Sequence, residues 1–431
     1  METPKRSSDI APRLTRAGAR PTDRRKLSGR AAYWLAAGVI GLGLFASLTP
    51  SPVYHTYSIL WHFSPLTLTL IYATYAFGVL ATLLLAGGVS DQVGRRPVLI
   101  TALAGLMGAT VLFLVADSAA RLFVARGLQG VATGAALSDA SAALLDLHPR
   151  RDPTGVALTN ATAAAGGIGL GMLVSSSLVQ VGWESRRLPY LVLLALIALE
   201  LIGAYLMPEP VRNRSAFRLT VERPRVPAVV RRAFLLATLA VLSTWSIGAL
   251  FFSLGPQLAA HLFNTTNAIA SGSGVVALAA AAAIAQLLTG RSAPWIATSI
   301  GSLALAAGII LIVVAAAIDS SVAYLAGSIL GGAGFGAAFL GGLRALVAQI
   351  PPEHRAAVMS AFYVAAYGSL SVPAILAGLV VSFISLESTF EIFGSVVAAI
   401  GVVVAFEAWR TRRTQPTSRS AQEEVLLDRA A

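Results

Sequence analysis

The residues of this chain able to do chemistry are a handful of charges set inside or between apolar runs. Gly87-Gly88-Val89-Ser90-Asp91-Gln92-Val93-Gly94-Arg95-Arg96-Pro97 puts one acid and two arginines in a tight turn. The runs on either side are each long enough to cross a hydrocarbon core. Arg126 stands several residues inside another apolar run, with Gln129, Gly130 and Gly134 after it. A cation so placed is costly and faces a polar cavity, unless its long stem carries the charge to the outer surface about two turns away. Asp139 and Glu200 are acids inside such runs, positions where a carboxylate can carry a proton. At about 1.5 Å per residue, Asp139 lies ~20 Å along a helix from Arg126. It is expected to pair with Arg95 or Arg151 instead.

Enzyme constellations are missing. With Lys5 and Lys26 as its only lysines, the chain has no P-loop lysine, and it has no HExxH, no GxSxG and no cysteine; its five histidines are scattered. Gly332 and Gly334 lie in an apolar run with no strand before them, so they read as packing rather than a dinucleotide loop. No enzymatic activity, no cofactor and no metal are expected.

The elements that must position these charges are membrane helices. The chain has 431 residues, 56% hydrophobic and 12% charged, with mean hydropathy +0.74. A soluble chain has about a quarter of its residues charged. Twelve apolar segments lie near 31–52, 65–87, 97–116, 120–144, 153–181, 188–207, 231–256, 267–289, 294–317, 320–348, 355–384 and 388–409. All read as helices, since an open strand in lipid leaves backbone groups unsatisfied. The fold class is all-α, a polytopic membrane protein of 12 helices in two six-helix bundles. The expected divisions are a basic tail over 1–30, a first bundle over 31–207, a linker over 208–230, a second bundle over 231–410 and a tail over 411–431. Arg24-Arg25-Lys26-Leu27 before the first span is faintly like a twin-arginine signal, but the many spans that follow favour an uncleaved first helix.

Charge placement sets the orientation. Nine basic residues fall in the first 30 positions, seven from Arg212 to Arg232 and five from Arg410 onward, against Arg121, Arg186 and Arg187 on the other side. By the positive-inside rule both termini are cytoplasmic, in the cell membrane. The net charge of +12 therefore reflects topology and not nucleic-acid binding. Pro50, Pro52, Tyr54 and Tyr57 are expected at the outer end of the first helix, the tyrosines in its aromatic belt. The halves echo each other about 200 residues apart. Gly94-Arg95-Arg96-Pro97 is answered by Gly290-Arg291-Ser292-Ala293-Pro294. The glycines at 127, 130 and 134 are answered by Gly331, Gly332, Gly334 and Gly336, and Pro149-Arg150-Arg151 by Pro352-Glu353-His354-Arg355.

Over roughly residues 30 to 410 the chain resembles the major facilitator superfamily of transporters. The hairpin from Gly87 to Arg96 is similar to that family's loop between helices two and three. The resemblance implies a gating latch of Gly87, Asp91, Gly94, Arg95 and Arg96, with Asp91 capping the eleventh helix near Ala356. Arg126 to Gly130 resembles the RxxQG motif of proton-coupled antiporters, which implies a proton-coupling role for Arg126 through a nearby carboxyl. Gln129, Gly130, Gly134, Asp139 and Glu200 are further candidates there. The fifth span departs from the antiporter signature: Gly167 and Gly171 remain, but Met172 replaces its proline and Ser175 and Ser176 its last glycines. Helices one, four, seven and ten line the cavity in this family, so Gln129 and Trp245 are candidate substrate contacts, together with Asn160, Tyr363 and Tyr367.

The resemblance implies alternating access around a site near the bilayer midplane. The favoured function is proton-coupled efflux of a small amphipathic drug or metabolite by a monomer in the bilayer. The alternative is a proton symporter or facilitator importing a small organic solute such as a sugar or organic acid.

Overall fold

In the computed structural model, described for residues 26–86, 88–149, 152–211 and 224–411, every regular element is a helix. Twelve are long: α1 (Gly29–Leu48), α2 (Pro65–Ala86), α3 (Arg95–Leu114), α4 (Ala119–Leu147), α5 (Pro153–Gln180), α6 (Leu188–Leu206), α7 (Arg231–Ser253), α8 (Ala268–Thr289), α9 (Pro294–Ala317), α10 (Ser321–Val347), α11 (Arg355–Val380) and α12 (Leu386–Arg410). Their starts are written in the sequence. Asp152 accepts from the N–H groups of Thr154 and Gly155 with Pro153 at the first helical position, and Asn267 accepts from Ile269 and Ala270. Such caps are each worth about 1 kcal/mol. Eleven of the helices are long and apolar enough to cross a membrane. The exception, α4, carries Arg121, Arg126, Asp139 and Asp146, and it turns Arg126 and Asp139 into the bundle.

The packing map repeats. Among the first six helices, α1 lies against α4, α5 and α6, α2 and α3 against α4, and α3 against α6. Adding six to each number gives the map of the second six. The two sets meet where α2 packs on α11 and α5 on α8, the pairings that a two-fold relation exchanges. The expected linker over 208–230 falls mostly outside the described residues, as do nearly all of both tails and Arg150 and Arg151.

Two features differ from expectation. The first span is interrupted: α1 ends at Leu48 and a short helix, Ser51–Trp61, follows Pro50. Tyr54 and Tyr57 are buried and do not form a lipid-facing belt, because this short helix turns them into a cluster with Leu68, Ile71 and Tyr190.

Candidate functional site

A cavity of about 910 Å³ lies between the two sets of helices. It runs from the end bearing residues 88–97, here the hairpin end, toward the far end where α1 breaks. Its wall is mostly apolar and aromatic, with contributions from α1, α2, α4, α5, α7, α8, α10 and α11. Hydrogen bonds join the halves at the far end: Ser51 Oγ donates to the Phe252 carbonyl (3.3 Å), and the Ala268 N–H to Gln180 Oε1 (2.8 Å). At the hairpin end Asp91, Pro153 and Thr154 line the cavity and are exposed, so the cavity opens there.

Asn160, Trp245, Tyr363 and Tyr367 all reach this cavity. Asn160 Nδ2 donates to Ser141 Oγ (3.0 Å), which fixes its amide against α4. Trp245 meets the ring of Tyr367 edge-on at 5.1 Å and lies 5.9 Å from that of Phe339. The arrangement is an aromatic wall bridging α7, α10 and α11.

Arg126 is fully buried, so it does not reach the outer surface. Its Nη1 donates to the Ser47 carbonyl (2.8 Å) and to Gln129 Oε1 (2.6 Å). The rings of Tyr72, Tyr75 and Tyr54 surround its guanidinium at 4.9, 5.2 and 5.6 Å, within cation–π range. Among the described residues no carboxylate lies within ion-pair distance of it. The nearby carboxyl implied by the antiporter resemblance is therefore missing here: α1 presents carbonyls to Arg126, not an acid.

Gln129, Gly130 and Gly134 stand outside the cavity wall. Gln129 Nε2 donates to the Ala46 carbonyl (2.9 Å) between α4 and α1. Gly130 and Gly134 let α4 close on α2, where an added Cβ would press on the carbonyls of Tyr75 and Val79. Glu200 also lies away from the cavity, its carboxylate packed on Gly38 of α1.

The hairpin gathers charge around Arg95. This side chain pairs with Asp91, with Asp146 Oδ2 (3.0 Å) and at longer range with Asp139 Oδ1 (3.9 Å), and it donates to Ser90 Oγ (2.6 Å). Gly94 has φ 114°, a conformation that favours glycine. Asp91 is not the buried anion on α11 that the resemblance implies. Its side chain is 64% exposed and its partner is Arg95 on the next turn, because the halves stand apart at this end. The helix cap at the hairpin comes from Glu209, which accepts from the N–H groups of Arg95 (3.0 Å) and Arg96 (3.1 Å) at the start of α3. Glu209 and Asp146 carried no sequence signal beyond being acids near the ends of spans. Gly87 lies outside the described residues.

The sequence profile of the Major Facilitator Superfamily matches residues 33–369. The uncharacterized MFS-type transporter EfpA from two strains of Mycobacterium tuberculosis is 31% identical over 205 residues, which is 47% of this chain and 34% of that protein. The match thus spans about a third of the length of these relatives. In structure the chain is similar to the human organic anion transporter MFSD10 (TETRAN), with TM-score 0.63 and 18% identity over 89% of this chain and 100% of the other. At that identity the likeness concerns the fold alone.

Proposed function

The chain belongs to the Major Facilitator Superfamily, and on that premise we propose that this integral membrane transporter exports a small amphipathic molecule by proton-coupled alternating access. The observation that carries the reading is the cavity, apolar and aromatic along most of its wall, closed at the far end and open at the hairpin end. Basic residues cluster in the segments on the hairpin side, so that side is assigned to the cytoplasm and the cavity is loaded from within. The halves would rock about the α2–α11 and α5–α8 contacts, and the cluster of Arg95, Asp91, Asp139 and Asp146 would break and re-form as they do. Asp139, a buried acid at the edge of that cluster, is the candidate proton carrier in place of Arg126.

A second reading, facilitated diffusion or symport inward, is favoured by one feature: Asp91 at the mouth is the sole carboxylate in the cavity wall among the described residues. Reconstituted vesicles with an imposed pH gradient and an interior pH dye separate the two. Proton release triggered by an added amphipathic compound, lost in Asp139→Asn, supports exchange. Compound movement without proton movement, or in the same direction as protons, replaces it with the second reading.

A further inference from the structure

Among the described residues, three charged side chains line the cavity: Asp91, Arg344 and Arg126. Two of them stand toward the hairpin end and are already engaged. Asp91 pairs with Arg95, and Arg344 Nη1 donates to the carbonyls of Ser292 (3.0 Å) and Thr289 (3.5 Å). Arg126 is the charge at the inner end. Both of its hydrogen bonds leave from Nη1, while its Nε is buried with no hydrogen-bond partner. The hydroxyls of Tyr54 and Tyr72 beside it are likewise buried without a partner. Of these donors, Arg126 Nε and the Tyr72 hydroxyl belong to residues of the cavity wall, and among the described residues no opposite charge meets the buried cation there. The remaining edge of a guanidinium suits the two oxygens of a carboxylate or sulfonate.

We propose that Arg126 and Tyr72, both in the cavity wall, form a subsite for the anionic group of the substrate, an amphipathic organic anion whose apolar body lies along Trp245, Phe339 and Tyr367. This rests on the transporter reading above and narrows it from amphipathic molecules to anions. A cationic amphiphile would meet a like charge at the inner end, and a neutral one would leave the buried donors unpaired.

Calorimetric titration of the full chain in lipid nanodiscs, with empty nanodiscs as control, tests this using four probes: naphthoate, naphthamide, naphthylmethylammonium and acetate. The expected result is that naphthoate binds about ten-fold or more tightly than naphthamide, the ammonium compound does not bind, and acetate competes only weakly. Arg126→Gln should bring naphthoate down to the level of naphthamide. Equal binding of naphthoate and naphthamide, or preference for the ammonium compound, overturns the subsite. Acetate competing as well as naphthoate also overturns the substrate assignment, since the site would then hold a free small anion. Should Arg126→Gln not fold, the probe series on the unaltered protein decides alone. Vesicle flux separates this inference from the reading it rests on. Naphthoate preferred in binding but not moved removes transport and leaves the subsite, whereas compounds moved without regard to charge remove the subsite and leave transport.

Discussion

Arg126 and Gln129 share a hydrogen bond of 2.6 Å, and together they hold the carbonyls of Ser47 and Ala46 in the last turn of α1. The reason lies in the chain of α1. In an unbroken helix the Ala46 carbonyl would receive the N–H of residue 50, but residue 50 is proline and has none. The amide of Gln129 supplies the missing donor from a neighbouring helix. The spacing of the two residues on α4 puts both side chains on one face, so the pair acts as a cap for a helix that proline interrupts.

Gln129→Leu should therefore leave the Ala46 carbonyl unpaired and lower stability by about 1–3 kcal/mol. Pro50 has helical φ and ψ of −73° and −17°, so Pro50→Ala can restore a backbone donor in place. The loss from Gln129→Leu should be smaller in the Pro50→Ala background. A double-mutant cycle on thermal unfolding midpoints of the purified protein measures the coupling, and strict additivity would dissociate Gln129 from the proline break.

Gly166 and Gly167 are neighbours on α5 with opposite surroundings. An added Cβ at Gly167 would overlap the Gly41 carbonyl of α1, whereas at Gly166 it meets nothing within 4 Å. Gly167→Ala should cost about 1–3 kcal/mol by overpacking, and Gly166→Ala should be neutral or slightly stabilising. Unfolding midpoints of the two variants side by side check this. Equal effects would mean that the α1–α5 approach is looser than described.

Glu209 binds two N–H groups at the start of α3, where a helix dipole favours an anion. Glu209→Ala should cost about 0.5–2 kcal/mol, and Glu209→Gln, which keeps an acceptor but loses the charge, less. Hydrogen exchange at the amides of Arg95 and Arg96 should rise more in the alanine variant. Unchanged protection there would argue against the cap.

Asp91 pairs with Arg95 at the mouth of the cavity. On the proposed gating role, Asp91→Asn should slow transport while leaving equilibrium binding of a transported compound within about two-fold, because the change would act on the conformational step. Comparing flux in vesicles with titration in nanodiscs reads the two separately. A matching loss of affinity would place Asp91 in the substrate site.

The helices were legible because a lipid span leaves so few alternatives: length, apolarity and the prolines and caps at 152–153, 267 and 294 suffice. Which way a residue faces was far less legible. Both the lipid side and the packed side of these helices are apolar, so Gln129 and Glu200 could not be told from cavity residues by pattern, whereas the aromatic residues Trp245, Tyr363 and Tyr367 in the middle parts of α7 and α11 do face inward. Tyr54 and Tyr57 were misplaced for a related reason. Their position near a span end fits a belt, but the Ser51–Trp61 helix packs them against Leu68, Ile71 and Tyr190. Glu209 follows α6 by a few residues, and its partner α3 lies over a hundred positions back, a separation that local patterns do not register.

Because the end of α1 is tied to side chains of α4, sliding either helix alone along the bilayer normal would separate two carbonyls from their donors. The two helices are mechanically one strut. Any movement of the first bundle then carries α1 and α4 together, and the Ser51–Trp61 helix that follows α1 reaches the seam with Phe252.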